Sequence, residues 1–287
     1  MTTTAAPTTP FRFFDVQVLR SHRLGPSMVR VTFGGGRLAS VACGGRDQRI
    51  KLFLPQAHQS APVFDDTGEG WYTAWRAQDP AERAVMRSYT VSGQRTTEAG
   101  TELDIDFALH GDGGPACRWA SRCRPGDQVA LLAPVVEDNG GIDFRPPPGT
   151  DWILLAGDET ALPAMEAILA WLPPGTRAKV WVEVPSAQDR RPLPSFADTD
   201  ITWLVREGAA RDRAEAMVDA VRGASLPEGA PYAWIAGEAG TVKALRRHLV
   251  GERGLDRRSV KFTGYWRRGA CEEDLIAELT AAAATEQ

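Results

Sequence analysis

The apolar pattern of this chain changes once, and that change limits the fold more than any single residue does. Before residue 138 apolar and polar residues alternate in short runs: Phe11–Leu19, Met28–Phe33, Arg49–Leu54, Glu102–Leu109 and Gln128–Val136. Strand side chains point to opposite faces in turn, so Ile50, Leu52 and Leu54 share one face and Lys51 lies on the other. The runs are broken by turns such as Gly34-Gly35-Gly36, and no long helix precedes residue 110. This pattern predicts a small antiparallel Greek-key β-barrel. After residue 151 the order is different. Trp152–Ala156 is a continuous apolar run, as in a buried parallel strand. Ala161–Leu172 follows with Leu162, Met165, Ile168, Leu169 and Leu172 at helical spacing. Lys179–Val184, Ile201–Val205, Tyr232–Ala236 and Ser259–Tyr265 read as further strands. Ala209–Val221, Ala239–Val250 and Asp274–Ala284 read as helices. Alternating strands and helices predict an α/β domain with a parallel sheet.

The domains are therefore expected at 11–140 and 151–287. Asp138–Asp151, with Pro146-Pro147-Pro148, forms a semi-rigid linker between them. Residues 1–10 are Thr-, Ala- and Pro-rich, lack the charged and apolar regions of a signal peptide, and read as a disordered tail. The longest apolar runs are far too short to span a bilayer, and the expected location is cytoplasmic. A net charge of −4 argues against a nucleic-acid partner. Cys43, Cys117, Cys123 and Cys271 show no C-x-x-C spacing and read as thiols in a reducing compartment. The four histidines are too scattered to form a metal site.

Within the first half, the charged, helix-like run Asp79–Met86 gives way to Arg87-Ser88-Tyr89-Thr90, which reads as a loop entering a strand. An Arg grips phosphate through its planar fork. A Tyr offers a flat face and a hydroxyl, and Thr adds a hydroxyl and a backbone N–H. A flavin nucleotide needs these groups together. The Gly-rich stretch before Pro115 opens a short helix over Ala116–Cys123, and N–H groups there suit a diphosphate. Helical spacing over Trp71–Met86, with Trp71, Tyr72 and Trp75, predicts a surface helix whose aromatic residues pack on the barrel. In the second half, the turns Gly157-Asp158-Glu159-Thr160 and Gly237-Glu238 both fall at carboxyl ends of strands, where α/β sheets bind ligands. Glu183 is placed to hold a ribose hydroxyl, favouring NADH. Arg190 and Arg191 are placed to hold a 2′-phosphate, favouring NADPH.

Arg87-Ser88-Tyr89-Thr90 resembles the R-x-Y-[TS] flavin motif of the ferredoxin-reductase superfamily. Four further stretches resemble the siderophore-interacting protein family within it. They are His110-Gly111 followed by Gly114-Pro115-Ala116-Cys117-Arg118-Trp119-Ala120; Ala156 to Ala164; Trp234-Ile235-Ala236-Gly237-Glu238-Ala239; and Gly264-Tyr265-Trp266-Arg267. The resemblance implies an FAD-dependent ferric-siderophore reductase using NADPH or NADH. It also implies that Asp106, His110, Gly114, Ala116 and Cys117 lie near FAD beside Arg87, Tyr89 and Thr90, and that Thr160 approaches the flavin. The family usually has Ser at Cys117, and a thiol is a weaker donor. For the ferric siderophore the expected site is a basic rim of Lys51, Lys261 and Arg267 with Trp266 as an aromatic wall. A ferredoxin is an alternative donor. Two other readings keep the same fold: a flavin reductase or diaphorase with another acceptor, and a siderophore-binding module without redox activity.

Overall fold

The computed structural model describes residues 9–63, 68–109, 114–206 and 212–270, which divide into two compact units at Ile142/Asp143. The turn residues Gly25–Met28 group with the second unit. The expected tail residues 1–8, His110 and the expected helix Asp274–Ala284 lie outside the described residues.

The first unit is a closed barrel of six strands: β1 (Phe11–Gly25), β2 (Met28–Gly34), β3 (Arg49–Leu54), β4 (Val85–Thr97), β5 (Gly100–Ala108) and β6 (Gln128–Pro134). Their order around the barrel is β1-β2-β5-β4-β3-β6. Alternation sets the two surfaces. Ile50, Leu52 and Leu54 of β3 and Leu103, Ile105 and Phe107 of β5 enter the core with Phe14, Val31 and Leu131. Burying each such large side chain contributes roughly 1.5–3 kcal/mol. The alternate residues of β5 carry a ladder of ion pairs. Glu102 accepts from Arg20 at 2.6 Å and also from Arg95. Asp104 accepts from Thr32 at 2.7 Å and Arg95 at 2.6 Å.

That ladder gives an acid-stability prediction. The Arg20 guanidinium, reinforced by Arg95 against some desolvation, lowers the Glu102 pKa from 4.5 to about 2. Its contribution is present above the ordinary carboxylate range and is lost as pH falls from about 4.5 to about 2. Glu102→Gln is therefore expected to flatten the stability-versus-pH curve in that window, read by urea unfolding at each pH. An unchanged slope would show that Glu102 has the same pKa folded and unfolded.

The helix before β4 is shorter than the charge spacing predicts. α1 covers Trp71–Ala77 and stops at the extended Gln78, two residues before Pro80. Residues 80–83 form turns, and Val85 and Met86 already belong to β4. Arg87 is thus the third residue of a strand rather than part of a loop entering one. The aromatic residues do pack on the barrel. Trp71 meets Phe13 and Phe53 edge-on at 5.6 and 5.8 Å. Trp75 is buried and donates its indole N–H to the Ala84 carbonyl at 2.9 Å.

The second unit is a parallel five-stranded sheet in the order β11-β10-β7-β8-β9. Its strands are β7 (Trp152–Gly157), β8 (Arg177–Val184), β9 (Asp198–Val205), β10 (Pro231–Glu238) and β11 (Val260–Trp266). Helices α3 (Leu162–Trp171), α4 (Arg213–Arg222) and α5 (Ala239–Arg247) connect them, and α2 (Pro115–Ala120) belongs to the first unit. Two clusters form the core, one around Leu155, Met165, Val182 and Trp234 and one around Leu154, Trp181, Val221 and Leu245. Side chains from β7, β8 and β10 enter both, which explains their continuous apolar runs.

In the predicted linker Asp138–Asp151, Asn139, Gly141, Ile142 and Phe144 are buried, whereas Pro147, Pro148 and Gly149 are exposed. Asn139 and Gln48 exchange side-chain hydrogen bonds at 3.1 and 3.0 Å. Phe144 is fully buried in the second unit, edge-on to Tyr232 at 5.4 Å.

Candidate functional site

In the first unit, Arg87, Ser88, Tyr89 and Thr90 are consecutive on β4 and pair with Leu52, Lys51, Ile50 and Arg49 of β3. Arg87 and Tyr89 therefore share the face of Leu52 and Ile50. Tyr89 packs its ring on Phe107 at 4.5 Å, and Arg87 donates from Nη1 to the Met86 carbonyl at 2.7 Å. Both are half-buried, while Thr90 is buried. Ser88 points to the other face, where its hydroxyl accepts from Lys51 Nζ at 2.7 Å. A residue predicted for the substrate and one predicted for the cofactor are thus direct partners.

α2 packs against β4 and β5. It begins at Pro115, with Gly114 exposed at its N-cap, Ala116 buried and Cys117 half-buried. The fixed φ of Pro115 suits a first helical position. Asp106 on β5 is buried, and its two oxygens accept from Arg30 Nε at 2.6 Å and Nη2 at 2.9 Å. Arg30 was not anticipated from sequence, although a buried acid requires a partner.

In the second unit, the predicted residues converge on Asp158, just beyond β7. Its Oδ1 accepts from Thr160 N at 3.0 Å and Thr160 Oγ1 at 2.5 Å. Its Oδ2 accepts from Glu238 N at 2.9 Å and Trp266 Nε1 at 2.9 Å, with Arg213 Nη2 at 3.5 Å. Three other sequence-predicted residues, Thr160, Glu238 and Trp266, thus meet at the buried Asp158 carboxylate. Gly237 makes this possible. Its φ is +137°, and a Cβ there would lie 2.7 Å from Asp158 Oδ2. Glu238 then caps α5, accepting from Thr241 N at 3.0 Å. The two turns predicted at strand ends are adjacent because β7 and β10 pair in parallel.

Around this hub lies a buried ion cluster. Glu159 accepts two bonds from Arg206, at 2.7 and 2.6 Å. Glu183 Oε1 accepts from Arg206 at 2.6 Å and from Arg213 Nε at 2.7 Å. Arg213 also lies over the Trp266 ring at 5.0 Å. Burial lowers the Arg206 pKa, but the bonds to Glu159 and Glu183 outweigh it and raise the value overall. Glu183 is thus 3% exposed and committed to two arginines, so it is not placed to hold a ribose hydroxyl. Arg191 pairs with Glu166 at 2.7 Å, and Arg190 is exposed.

The predicted basic rim does not form one cluster within this unit. Lys261 lies near the start of β11, with Nζ 2.8 Å from Asp143. Trp266 ends the strand opposite Glu238, and Arg267 follows. At about 3.3 Å per residue, Lys261 and Trp266 are roughly 16 Å apart along the strand.

A closed antiparallel barrel followed by a parallel sheet defines a ferredoxin-reductase-like fold. The fold agrees with that of a ferredoxin reductase of carbazole 1,9a-dioxygenase, at a TM-score of 0.59 and 17% identity. Residues 17–138 match the siderophore-interacting FAD-binding domain, and residues 150–269 match the siderophore-interacting protein domain. The chain is 33% identical to ferric vibriobactin reductase ViuB of Vibrio cholerae over 89% of each sequence. It is 30% identical to an NADPH-dependent ferric-chelate reductase of Escherichia coli K12, covering 89% of this chain and 93% of the relative. A siderophore utilization protein from T. fusca superimposes with a TM-score of 0.75 at 32% identity, covering 92% of this chain and 95% of the other. The chain belongs to the siderophore-interacting protein family. Among the described residues no helix is long and apolar enough to cross a membrane.

Proposed function

We propose that the protein is an FAD-dependent reductase that takes electrons from NADPH and passes them to a ferric siderophore, releasing ferrous iron. The observation that carries this reading is the match of both halves of the chain to relatives named ferric reductases. The residues of the first unit fit a flavin nucleotide. Arg87 supplies a fixed cation for the diphosphate, Tyr89 an aromatic ring, and Thr90 a hydroxyl and N–H, with the start of α2 as further N–H donors. When bound, FAD supplies two-electron acceptance and one-electron release. The chain's own residues bind, orient and shield, and none is assigned a proton-transfer role.

NADPH is favoured over NADH because Glu183 is engaged by Arg206 and Arg213, which removes the acid expected to favour NADH. The exposed Arg190 remains as a cation for a 2′-phosphate. The relatives' names give no support to a ferredoxin donor. Lys51 is proposed to receive the electron-rich rim of the siderophore.

The test is anaerobic reduction of a ferric catecholate siderophore, with ferrous iron trapped by a chelator. Wild type is expected to turn over with NADPH. Lys51→Glu is expected to raise the KM for the ferric siderophore about tenfold while keeping its FAD. Turnover of other acceptors with none of ferric siderophores would instead assign a flavin reductase serving a different acceptor.

A further inference from the structure

Asp158 accepts hydrogen bonds from three separate segments: the β7–α3 loop through Thr160, the start of α5 through Glu238, and the end of β11 through Trp266. The Thr160 hydroxyl has one proton, and the 2.5 Å contact gives it to Asp158. Towards a ligand, that hydroxyl then presents only lone pairs. The loop lies outside the carboxyl end of β7, where an α/β sheet receives its ligand. A hydride-donating nicotinamide carries one strong donor on its reactive ring, the carboxamide NH2. We propose that Asp158 is a positioning residue that fixes Thr160 as a hydrogen-bond acceptor for the nicotinamide carboxamide, and so selects the donor by its amide N–H.

This inference rests on the reading that the second unit binds the nicotinamide. Its charged surroundings are Glu159 on the same loop, Glu183 on β8, Arg206 after β9, Arg213 on α4 and Glu238 at the cap of α5. Burial, and after it the Glu159 charge, raise the Asp158 pKa. The Thr160 and Trp266 hydrogen bonds and Arg213 pull the other way. A protonated Asp158 would donate to Thr160 and leave the Thr160 hydroxyl as a donor, so the acceptor role fades as pH falls.

The test compares NADP⁺ with its 3-acetylpyridine analogue, in which an acetyl group replaces the carboxamide and cannot donate. Binding is measured by calorimetry on the FAD-loaded protein. Wild type is expected to prefer NADP⁺ by about three- to tenfold, a preference that declines towards acid pH. Thr160→Val and Asp158→Asn are expected to bind both ligands alike, and Thr160→Ser to restore the preference. The same ordering is expected in the rate of flavin bleaching by the two reduced dinucleotides. If Thr160→Val keeps the wild-type preference, Thr160 does not accept from the amide and the inference fails, even if Asp158→Asn fails to fold. If Thr160→Val instead shifts the bound flavin's spectrum and leaves the preference intact, Thr160 serves the flavin and the inference also fails. If neither NADP⁺ nor NAD⁺ binds wild type, the proposed donor itself is wrong, and this inference falls with it.

Discussion

An Arg87→Ala variant is expected to purify largely without FAD and to bind added FAD about 10- to 100-fold more weakly than wild type. Charge-assisted hydrogen bonds to phosphate contribute about 1.5–3 kcal/mol, which sets that range. The effect is large because nothing short can replace the guanidinium. Arg87 sits within β4, three residues into a paired strand, so its Cα is held by ladder bonds to β3. Its half-buried side chain donates to the Met86 carbonyl at 2.7 Å. Thermal unfolding of the apo barrel, measured beside FAD binding, separates loss of cofactor from loss of fold. The ratio of visible to ultraviolet absorbance after purification, with FAD titration by fluorescence, reads the result. An Arg87→Ala protein that stays yellow with wild-type affinity would remove Arg87 from the flavin site.

Arg206→Met is expected to destabilise the second unit by about 3–5 kcal/mol. Removing one partner of a buried ion pair leaves the others uncompensated, and this costs more than the pair itself contributes. Arg206 bonds both Glu159 and Glu183, which are 2% and 3% exposed, so its loss strands two carboxylates with Arg213 as their remaining cation among the described residues. Urea unfolding at neutral pH checks this. A variant as stable as wild type at neutral pH would mean that solvent reaches these carboxylates.

The barrel and sheet were legible because alternation and continuous apolar runs report directly on burial. β3 falls on Arg49–Leu54 as the pattern predicts, and its neighbours differ mainly in their ends. The helix before β4 was overextended because charge spacing says little about a seven-residue helix. Pro80 was the better signal. The site was legible residue by residue but not as an arrangement. Asp158, Thr160, Glu238 and Trp266 were each named, yet only the pairing of β7 with β10 and of β10 with β11 brings them to one carboxylate. Glu183 reads in sequence as an acid for a ribose hydroxyl, whereas the structure buries it against Arg206 and Arg213. Its place inside the apolar run Val180–Val184 marked it as buried, and a buried acid needs cations. Those cations, Arg206 and Arg213, come from beyond β9 and from α4, and sequence spacing alone does not connect them to Glu183. The Lys261–Trp266 grouping failed for a simpler reason: closeness in sequence becomes distance along an extended strand.

The most direct test of the account is the visible spectrum of the purified protein under anaerobic conditions, before and after NADPH and then after a ferric siderophore. The account predicts a flavin spectrum that bleaches with NADPH and recovers when the ferric siderophore is added, with ferrous iron captured by a chelator. A protein that takes up no flavin, or a bleached flavin that no ferric siderophore reoxidises, would contradict it.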